Sequence, residues 1–574
     1  MPEAGALERL HRLLEGEDGA ARVLAYHART KHAPSRYARA LGYLDWATQP
    51  DPFRRFEGAP LVTLARDDAL QSGPRFAEVV SAVVASMPVD VAHLARFLYD
   101  ALALSAWKEH GATRWSLRVN PSSGNLHPTE AYVVCGPALG LPTGGGVYHY
   151  APHPHALERR RALAADAWLT LQCGLPQSAF LVGLSSIHWR EAWKYGERAY
   201  RYCQHDVGHA IGALSYSAAA LGWQIRALPT LGDSALTTLL ALSGAVDAER
   251  EHPDLLLAVW PTDEDWPSSG SAAFALPPPL LGALAAAPAE GTPNRLSADH
   301  HDWPVISEVA LAAHAPVGFA MEAADVSRVA SFPSDASDAN GGRPDSPPAR
   351  HVLRTRRSAV DMDGRTGLTR DGLWSCLLAV TPAARPTPWG VMPHRAFVHN
   401  LYFVHRVRDV EPGLYLQVRQ AAQCDFVLEA VSERFEPERV TDAPPGVWLY
   451  RLGCEDTRML ARATSCGQDI AADGAFAVSM LAELDGAVRA HGPAAYRYLH
   501  YEAGLIGHAL YLEAEALGLR ATGIGCFYDD LVHQLFGWQD HTLAALYHFT
   551  VGGAVDDPRL RTAPAYAHLE VGAT

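Results

Sequence analysis

The strongest constraint on the fold of this 574-residue chain is an internal repeat. The segment YRYCQHDVGHAIGALSYSAAALGW at 200–223 returns as YRYLHYEAGLIGHALYLEAEALGL at 496–519, a constant offset of 296 residues (496 − 200). Both copies are rich in Ala and Leu, lack proline and carry a glycine near the end, so each predicts a long, mostly buried helix with a glycine stop. A chain that repeats itself in this way is predicted to fold as two copies of one unit.

Apolar, β-prone runs surround each predicted helix in the same order. They lie at 130–136, 146–150 and 255–260 around the first helix, and at 400–407, 413–417 and 546–552 around the second. These runs predict short strands. Because helices and strands do not alternate as clean βαβ units, the predicted fold class is α+β, with helices packed on a central sheet in each repeat.

The repeats divide the chain into repeat one at 1–262, a linker at 263–349 and repeat two at 350–574. Within the linker, the stretch 331–348 is rich in Pro, Ser, Gly and Asp and is predicted to be exposed or disordered. The segment HDWPVISEVALAAH at 301–314 predicts a short ordered helix.

Composition excludes several classes of function. The chain has 48 Lys and Arg against 63 Asp and Glu, a net charge of −15 that opposes binding to nucleic-acid phosphates. The first residues lack the pattern of a signal peptide, and no apolar run of about 18 residues predicts a membrane span. The eight cysteines form no CxxC pair, so we expect reduced thiols in a cytoplasmic protein.

A hydroxyl-rich turn, Asn-Pro-Ser-Ser-Gly-Asn, precedes the first predicted strand. Pro121 shapes its backbone, and Ser122, Ser123 and Asn125 offer small polar groups beside exposed amides. Such a surface suits a planar polar heterocycle or an anion. The alternative is a plain structural turn.

Three further motifs lie in repeat two. RTRRS at 354–358 offers guanidinium forks that match phosphate oxygens, with a solvated helix end as the alternative. Arg559 and Arg561 follow the last predicted strand. In GIGCFYDD at 523–530, glycines let backbone amides approach a ligand, although a single GxG pattern is weak evidence.

Lysine occurs at three positions, 31, 108 and 194. Lys194 is followed by Tyr195, and the two side chains could give and take a proton. The alternative is a lysine that extends its ammonium group from a helix into water.

One pair of histidines has the spacing of a known type of metal site. His205 and His209 have the spacing of a zinc-binding HExxH helix. The second repeat reads YEAGL in the same register, so no metal site is predicted.

Together these motifs resemble the nitroreductase superfamily, and within it the SagB/ThcOx-type flavin dehydrogenases in a tandem form. The blocks that carry the resemblance are RVNPSSGNLHPTEAYVV, GVYHY, WKYGERAYRY and GHAIGALSYSAAALG in repeat one, and RTRRS, GLYL, AYRYLHYEAGLIGHALYLEAEALGLRATGIGCFYDD and VGGAVDDPRLRT in repeat two. The resemblance implies FMN as cofactor, an α/β sandwich in each repeat, and a two-fold assembly with the flavin at the interface.

Carried over to this chain, the resemblance implies three groups of cofactor-binding residues and one catalytic pair. The implied groups are Arg356, Arg357, Ser358, Arg559 and Arg561 for the phosphate, Gly523, Ile524, Gly525 and Cys526 for amides near the flavin N5, and Arg118, Pro121, Ser122, Ser123 and Asn125 on the opposite face. Lys194 and Tyr195 match the proton-handling pair of the azoline-oxidising branch.

Each repeat keeps only half of these motifs. ALPTLGD at 227–233 stands in repeat one where repeat two has GIGCFYD, and MPHRAFVHN at 392–400 replaces the paired serines in repeat two. We therefore predict an intrachain pseudo-dimer with one complete FMN site and one degenerate site.

The expected activity is hydride transfer between FMN and a small organic or peptide-derived substrate, with azoline-to-azole oxidation as one branch. The alternatives are NAD(P)H-dependent reduction of a nitro or quinone compound, and flavin binding without turnover.

Overall fold

The computed structural model describes residues 17–267, 274–316, 318–321, 346–539 and 541–570. The α-helices are α1 Glu17–Arg29, α2 Phe76–Val80, α3 Val91–Ala101, α4 Ala165–Gln172, α5 His188–Tyr195, α6 Ala199–Ala219, α7 Asp233–Leu240, α8 Pro278–Ala286, α9 Pro304–Ala312, α10 Ala349–Thr355, α11 Arg370–Ala379, α12 Cys424–Val431, α13 Arg458–Thr464, α14 Ile470–Asp473, α15 Leu484–His491, α16 Ala495–Ala516, α17 Asp529–Phe536 and α18 Ala567–Glu570. Within these described ranges, no helix combines the length and apolar character needed to cross a membrane.

The strands of repeat one are β1 Phe56–Glu57, β2 Leu61–Thr63, β3 Leu104–His110, β4 Thr113–Arg118, β5 Thr129–Cys135, β6 Gly146–Ala151, β7 Ala156–Ala162, β8 Phe180–Ser186, β9 Trp223–Ala227 and β10 His252–Pro261. The remaining strands are β11 Thr292–Pro293, β12 Leu368–Thr369, β13 Val398–Val404, β14 Val407–Arg408, β15 Gly413–Val418, β16 Glu438–Arg439, β17 Trp448–Gly453, β18 Phe476–Ala482, β19 Arg520–Ile524, β20 Ala544–Gly552 and β21 Arg561–Ala563.

Two seven-stranded sheets have the same topology except at one edge strand, because β2 precedes the other strands of its sheet in the chain whereas β16 lies between β15 and β17. The first has the order β2-β7-β6-β5-β8-β10-β9 and the second β16-β17-β15-β13-β18-β20-β19. Neighbouring strands in both sheets are antiparallel. The predicted strands occupy the same places in both sheets, so the α+β class and the two-repeat organisation are confirmed.

The repeated helices α6 and α16 pack directly against each other. They cross at Gly208 and Gly504, which are equivalent positions of the repeat (504 − 208 = 296). A Cβ on Gly208 would lie 2.9 Å from the Gly504 Cα and would collide with the Tyr501 carbonyl. A Cβ on Gly504 would collide with the His205 carbonyl. Glycine is therefore required on both helices for the backbones to touch.

Ion pairs cross between the repeats on both sides of this contact. Arg201 on α6 reaches Asp529 at the start of α17, with Nη1 2.8 Å from Oδ1. The equivalent Arg497 on α16 reaches Asp233 at the start of α7, with Nη2 3.0 Å from Oδ2. All four side chains are buried. The pairs therefore connect each long helix to the first residue of a helix in the other repeat.

Smaller helices cover the outer faces of the sheets. Leu236 of α7 and Leu280 of α8 belong to one apolar cluster over the first sheet, and Val427 of α12 and Val532 of α17 belong to another over the second. Each repeat is consequently a sheet between two helical layers.

Part of the predicted linker packs on repeat one. Helix α8 enters the apolar cluster of that repeat, and β11 pairs with β1. The helix predicted within 301–314 is α9. Of the stretch predicted to be exposed or disordered, residues 331–345 lie outside the described residues.

We predict that Gly208→Ala destabilises the protein. The added methyl group must separate α6 from α16, which costs about 1–3 kcal/mol or more in a packed core. The free energy of unfolding, measured by urea denaturation, should fall accordingly.

The matched control for this prediction is Gly486→Ala. Gly486 lies exposed in α15 with open space where a Cβ would stand, so alanine should stabilise the helix by up to about 1 kcal/mol. Equal effects of the two substitutions would contradict a tight helix crossing at Gly208.

Candidate active site between the two repeats

A cavity of about 870 Å³ lies between the two repeats. Among the residues that line it are Arg118, Pro121, Ser122, Ser123, Asn125 and Tyr195 from repeat one, and Arg356, Arg357, Ser358, Gly523, Ile524, Gly525 and Cys526 from repeat two. The two half-sites that the sequence places in different repeats thus meet around one space. Lys194, Arg559 and Arg561 are not among the residues of its wall.

Two arginines follow α10 at one end of the cavity. Arg356 is buried, and its Nε donates to the Val119 carbonyl at 3.2 Å. Its Nη1 has no hydrogen-bond partner in the described part of the chain. Arg357 donates from Nη2 to the Ser105 carbonyl at 2.9 Å, and burial beside Arg356 lowers its pKa to about 9. A buried guanidinium with a spare donor beside a second cation suits an anion.

Tyr511 of α16 joins this basic segment to the glycine loop. Its hydroxyl lies 2.8 Å from Ser358 Oγ and accepts the Gly523 amide at 3.1 Å. The Arg356 guanidinium lies 4.9 Å from the centre of the Tyr511 ring. One phenol therefore holds three of the predicted site residues in a fixed relation.

The glycines of the 523–526 segment also have a role in packing. The sequence suggests that they leave room for a ligand to approach the backbone. In the structure, a Cβ on Gly523 would collide with Tyr547, and one on Gly525 would collide with Tyr202. Both tyrosines line the cavity. The glycines thus allow aromatic rings to pack against the loop.

The hydroxyl-rich turn is held by Asp206 of α6. The Ser123 amide and Oγ both donate to Asp206 Oδ1, at 3.1 and 3.0 Å. Ser122 Oγ accepts the His127 amide at 2.8 Å. Burial raises the pKa of Asp206 to about 7 despite the serine hydrogen bonds. Sequence reasoning missed Asp206, although an acidic residue inside a mostly buried helix is a recognisable signal.

Lys194 and Tyr195 end α5 beside the same turn. The polar ends of both side chains lie close to Gly124. A Cβ at that position would lie 2.7 Å from the Tyr195 hydroxyl and 3.1 Å from Lys194 Nζ. Burial raises the pKa of Tyr195 well above its ordinary value. Glu191, one turn earlier, is buried, and neither of its carboxyl oxygens has a hydrogen-bond partner among the described residues. Burial raises the Glu191 pKa strongly. Both Lys194 and Tyr195 therefore have their polar ends near Gly124, but only Tyr195 belongs to the cavity wall.

Arg559 and Arg561 lie on the exposed C-terminal tail. Arg559 pairs with Asp557 at 2.7 Å and is largely exposed. Arg561 begins β21, which pairs with β3 of repeat one. Pro558, Leu560 and Thr562 of this tail line the cavity.

Two other cations in the wall were not predicted. Lys108 of β3 lines the cavity and donates from Nζ to Thr562 Oγ1 at 2.8 Å. Burial lowers the pKa of Lys108. Arg520 also lines the cavity and pairs with Glu515. The scarcity of lysine could have directed attention to Lys108.

The histidines of the HDVGH segment contact an aromatic side chain. The His205 ring stacks on Tyr547 with centres 4.3 Å apart, and His209 Nε2 lies 3.2 Å from the Tyr547 hydroxyl. Within the described ranges, no cluster of three or more His, Cys, Asp or Glu side chains could hold a metal ion.

Parts of the chain match known proteins in sequence. Residues 415–553 match the nitroreductase family. A stretch of 178 residues is 25% identical to a Methanocaldococcus jannaschii protein named "Putative nitroreductase", and it covers 30% of this chain and 82% of that protein. These matches support an oxidoreductase.

Most of the chain shares its fold with a solved structure. A crystal structure titled as a "putative nitroreductase" from Anabaena variabilis has a TM-score of 0.63 and 23% sequence identity. The similarity covers 93% of this chain and 99% of the other. The nitroreductase-like fold therefore extends over both repeats, beyond the segment that matches the family.

On the opposite side of the contact between the repeats, the segment around Phe319 packs on the loop that corresponds to 525–529. The loop 229–233 occupies the repeat position of 525–529 (525 − 296 = 229). Phe319 donates its amide to the Pro229 carbonyl at 2.7 Å, and its ring lies 4.6 Å from that of Tyr498. Tyr498 is the repeat equivalent of Tyr202, which lines the open cavity.

Further contacts hold this segment in place. The Ala315 amide donates to Asp233 Oδ2, and the Asp233 amide donates to the Ala315 carbonyl, both at 2.8 Å. Gly232 and Gly318 face the Pro316 and Thr230 carbonyls without room for a Cβ. The segment around Phe319 is therefore packed against the degenerate loop.

The raised pKa of Asp206 predicts a pH-dependent effect of Asp206→Asn. The folded protein keeps this proton up to about pH 7, whereas an unfolded carboxyl releases it near pH 4, so the wild type loses stability as pH rises between these values. Asparagine does not titrate. Relative to wild type, the variant should gain on the order of 1–3 kcal/mol between pH 4 and pH 8, and the gain should level off above pH 7. Urea denaturation at a series of pH values measures it, and a difference independent of pH would contradict the assignment.

Proposed function

We propose that this protein is an FMN-dependent oxidoreductase with one cofactor site per chain, in the cavity between its repeats. The observation that carries the proposal is the convergence of two complementary half-sites, one from each repeat, on a single cavity of about 870 Å³. Cofactor pockets commonly measure roughly 300–1,000 Å³. The repeats would then act as an intrachain pseudo-dimer. Bound FMN would supply two-electron hydride chemistry.

The charge of the cavity wall supports a phosphate-bearing cofactor. Its cationic residues are Lys108, Arg118, Arg356, Arg357 and Arg520, and its acidic residues are Asp206, Asp556 and Asp557. This local excess of positive charge occurs in a chain with a net charge of −15. Arg356, with its spare donor, and Arg357 would bind the phosphate, and Ser358 would add a hydroxyl.

The remaining walls fit a planar ring. Backbone from Gly523 to Cys526 forms one side, and the hydroxyl-rich turn at Ser122 and Ser123 forms another. Because Asp206 holds that turn through two hydrogen bonds from Ser123, its polar groups are preorganised rather than mobile.

Lys194 and Tyr195 would handle the proton that accompanies hydride transfer. Both polar ends lie near Gly124, and a phenol and an amine are groups that can give and take a proton. In the oxidative direction, a thiazoline or oxazoline ring would give a hydride to the cofactor and a proton to whichever member of the pair had first released its own proton to solvent, and the ring would become an azole. NAD(P)H-dependent reduction of a nitro or quinone compound is the competing direction.

The packing at the second half-site supports a single cofactor. The Phe319 ring lies 4.6 Å from that of Tyr498, the repeat equivalent of the cavity residue Tyr202. The sequence of the degenerate loop also lacks the GxG pattern. One cavity per chain is therefore the arrangement we expect in solution.

The purified protein should contain one FMN per chain, and Arg356→Lys should weaken its binding. Lysine lacks the planar fork of arginine, so losing a charged hydrogen bond of about 1.5–3 kcal/mol should raise the Kd for FMN at least tenfold. Fluorescence titration of the flavin-free protein measures both the affinity and the stoichiometry.

Arg458→Lys is the matched control for Arg356→Lys. Arg458 lies outside the cavity wall, is half-exposed and is paired with Asp456, so its substitution should leave the Kd within about twofold. A stoichiometry of two, or equal losses in both variants, would contradict the proposed site.

The proton-handling proposal predicts slow turnover without loss of flavin. Tyr195→Phe and Lys194→Met should each reduce the rate of anaerobic flavin bleaching by a synthetic thiazoline by about 10²–10⁴-fold. The flavin content should stay unchanged, and Tyr43→Phe, at a largely exposed tyrosine, should behave as wild type. Bleaching by NADPH but not by the thiazoline would reverse the direction, and a flavin inert to both would indicate a binding protein without turnover.

A further inference from the structure

Two cysteines lie in contact at the wall of the cavity. The Sγ atoms of Cys466 and Cys526 are 3.0 Å apart. Both residues are partly exposed, and Cys526 lines the cavity. Small reagents that enter the cavity could therefore reach this pair.

Hydrogen bonds hold the two cysteine-bearing loops together. The Tyr528 amide donates to the Thr464 carbonyl at 2.8 Å, and Gln468 Nε2 donates to the Cys526 carbonyl at 2.8 Å. Cys466 itself has a φ of +56°, in the left-handed region that side chains other than glycine rarely adopt. The backbone thus keeps the sulfurs close at the expense of an uncommon conformation at Cys466.

Access distinguishes the two thiols. Cys526 lines the cavity, whereas Cys466 is not among the residues of its wall. Arg198 donates from Nη2 to the Gly525 carbonyl at 3.2 Å, next to Cys526, and its positive charge favours the thiolate form of both cysteines. A small disulfide that enters the cavity therefore meets Cys526 first, and the thiolate is the reactive form.

We propose that Cys466 and Cys526 form a redox modification site, a dithiol that becomes an intramolecular disulfide by exchange with small disulfides. In the first step the Cys526 thiolate attacks the small disulfide, forms a mixed disulfide and releases one small thiol. Cys466 then loses its proton and attacks Cys526 Sγ, which releases the second small thiol. The protein gives up two electrons and two protons, and the small disulfide takes them up as two thiols.

Little movement is needed for the bond to form. A disulfide has a sulfur–sulfur distance of about 2.05 Å, so the two atoms must approach by about 1 Å from their present 3.0 Å. Because Cys526 belongs to the 523–526 loop, its oxidation would change one wall of the cavity. The site goes beyond the proposed oxidoreductase activity and does not depend on a bound flavin.

The test uses the full chain, reduced with dithiothreitol, freed of reductant and exposed to oxidised glutathione without oxygen. Two titratable thiols per chain should be lost, the intact mass should fall by two hydrogen atoms, and peptide mapping should join Cys466 to Cys526. Retention of all thiols, or a link between other cysteines, would overturn the proposal.

Serine variants separate the two steps. Cys466→Ser should stop at a glutathione adduct on Cys526, because the resolving thiol is missing, and Cys526→Ser should lose both the adduct and the internal bond. Cys173→Ser, at an exposed cysteine, is the control and should still lose two thiols. An internal disulfide that persists in Cys466→Ser would contradict the proposed pair. These readouts count thiols and not flavin, so they remain valid if the flavin proposal fails.

Discussion

The backbone contact between Gly208 and Gly504 sets the geometry on which the rest of the structure depends. These glycines bring α6 and α16 together without intervening side chains. The same helices carry cavity residues a short distance from the crossing, Asp206 on α6 and Tyr511 on α16. The separation of the two helices therefore determines how far apart the half-sites lie. A larger separation would move the hydroxyl-rich turn, which Asp206 holds, away from the segment that Tyr511 holds.

Buried ion pairs then orient the loops around this crossing. Arg201 with Asp529 and Arg497 with Asp233 are the same interaction repeated, yet they support different surroundings. Removing charges from water is costly, so such pairs specify one arrangement more than they add stability. The segment 523–526, before Asp529, borders the open cavity. The equivalent loop at 229–233, which ends at Asp233, is packed against the segment that contains Phe319.

The sequence was sufficient for those features that depend on local pattern or on comparison of the two repeats. Helix α6, at Ala199–Ala219, begins one residue before the stretch predicted at 200–223. The six predicted strands fall where apolar, β-prone runs placed them. Repeat one lacks the GxG pattern and repeat two lacks the paired serines. Comparing the two copies therefore indicated that the half-sites lie on different repeats. These signals need no knowledge of distant contacts.

What the sequence could not supply came from long-range packing. Ser358 and Tyr511 are 153 positions apart, and nothing in either local pattern indicates that their hydroxyls meet. The role of the glycines at 523 and 525 depends on tyrosines from other elements. Lys108 lines the cavity from β3, which forms a hairpin with β4 and also pairs with β21. Each of these depends on where remote segments are brought by the fold.

The packed segment at Phe319 has a consequence for symmetry. In an assembly of two identical subunits, any inserted segment is present twice, and a segment that closes one crevice closes its twin as well. A single chain that contains both copies is free of this restriction, since it can carry one closing segment and leave the opposite crevice accessible. Covalent fusion of the repeats thereby permits one crevice to specialise while the other becomes part of the scaffold.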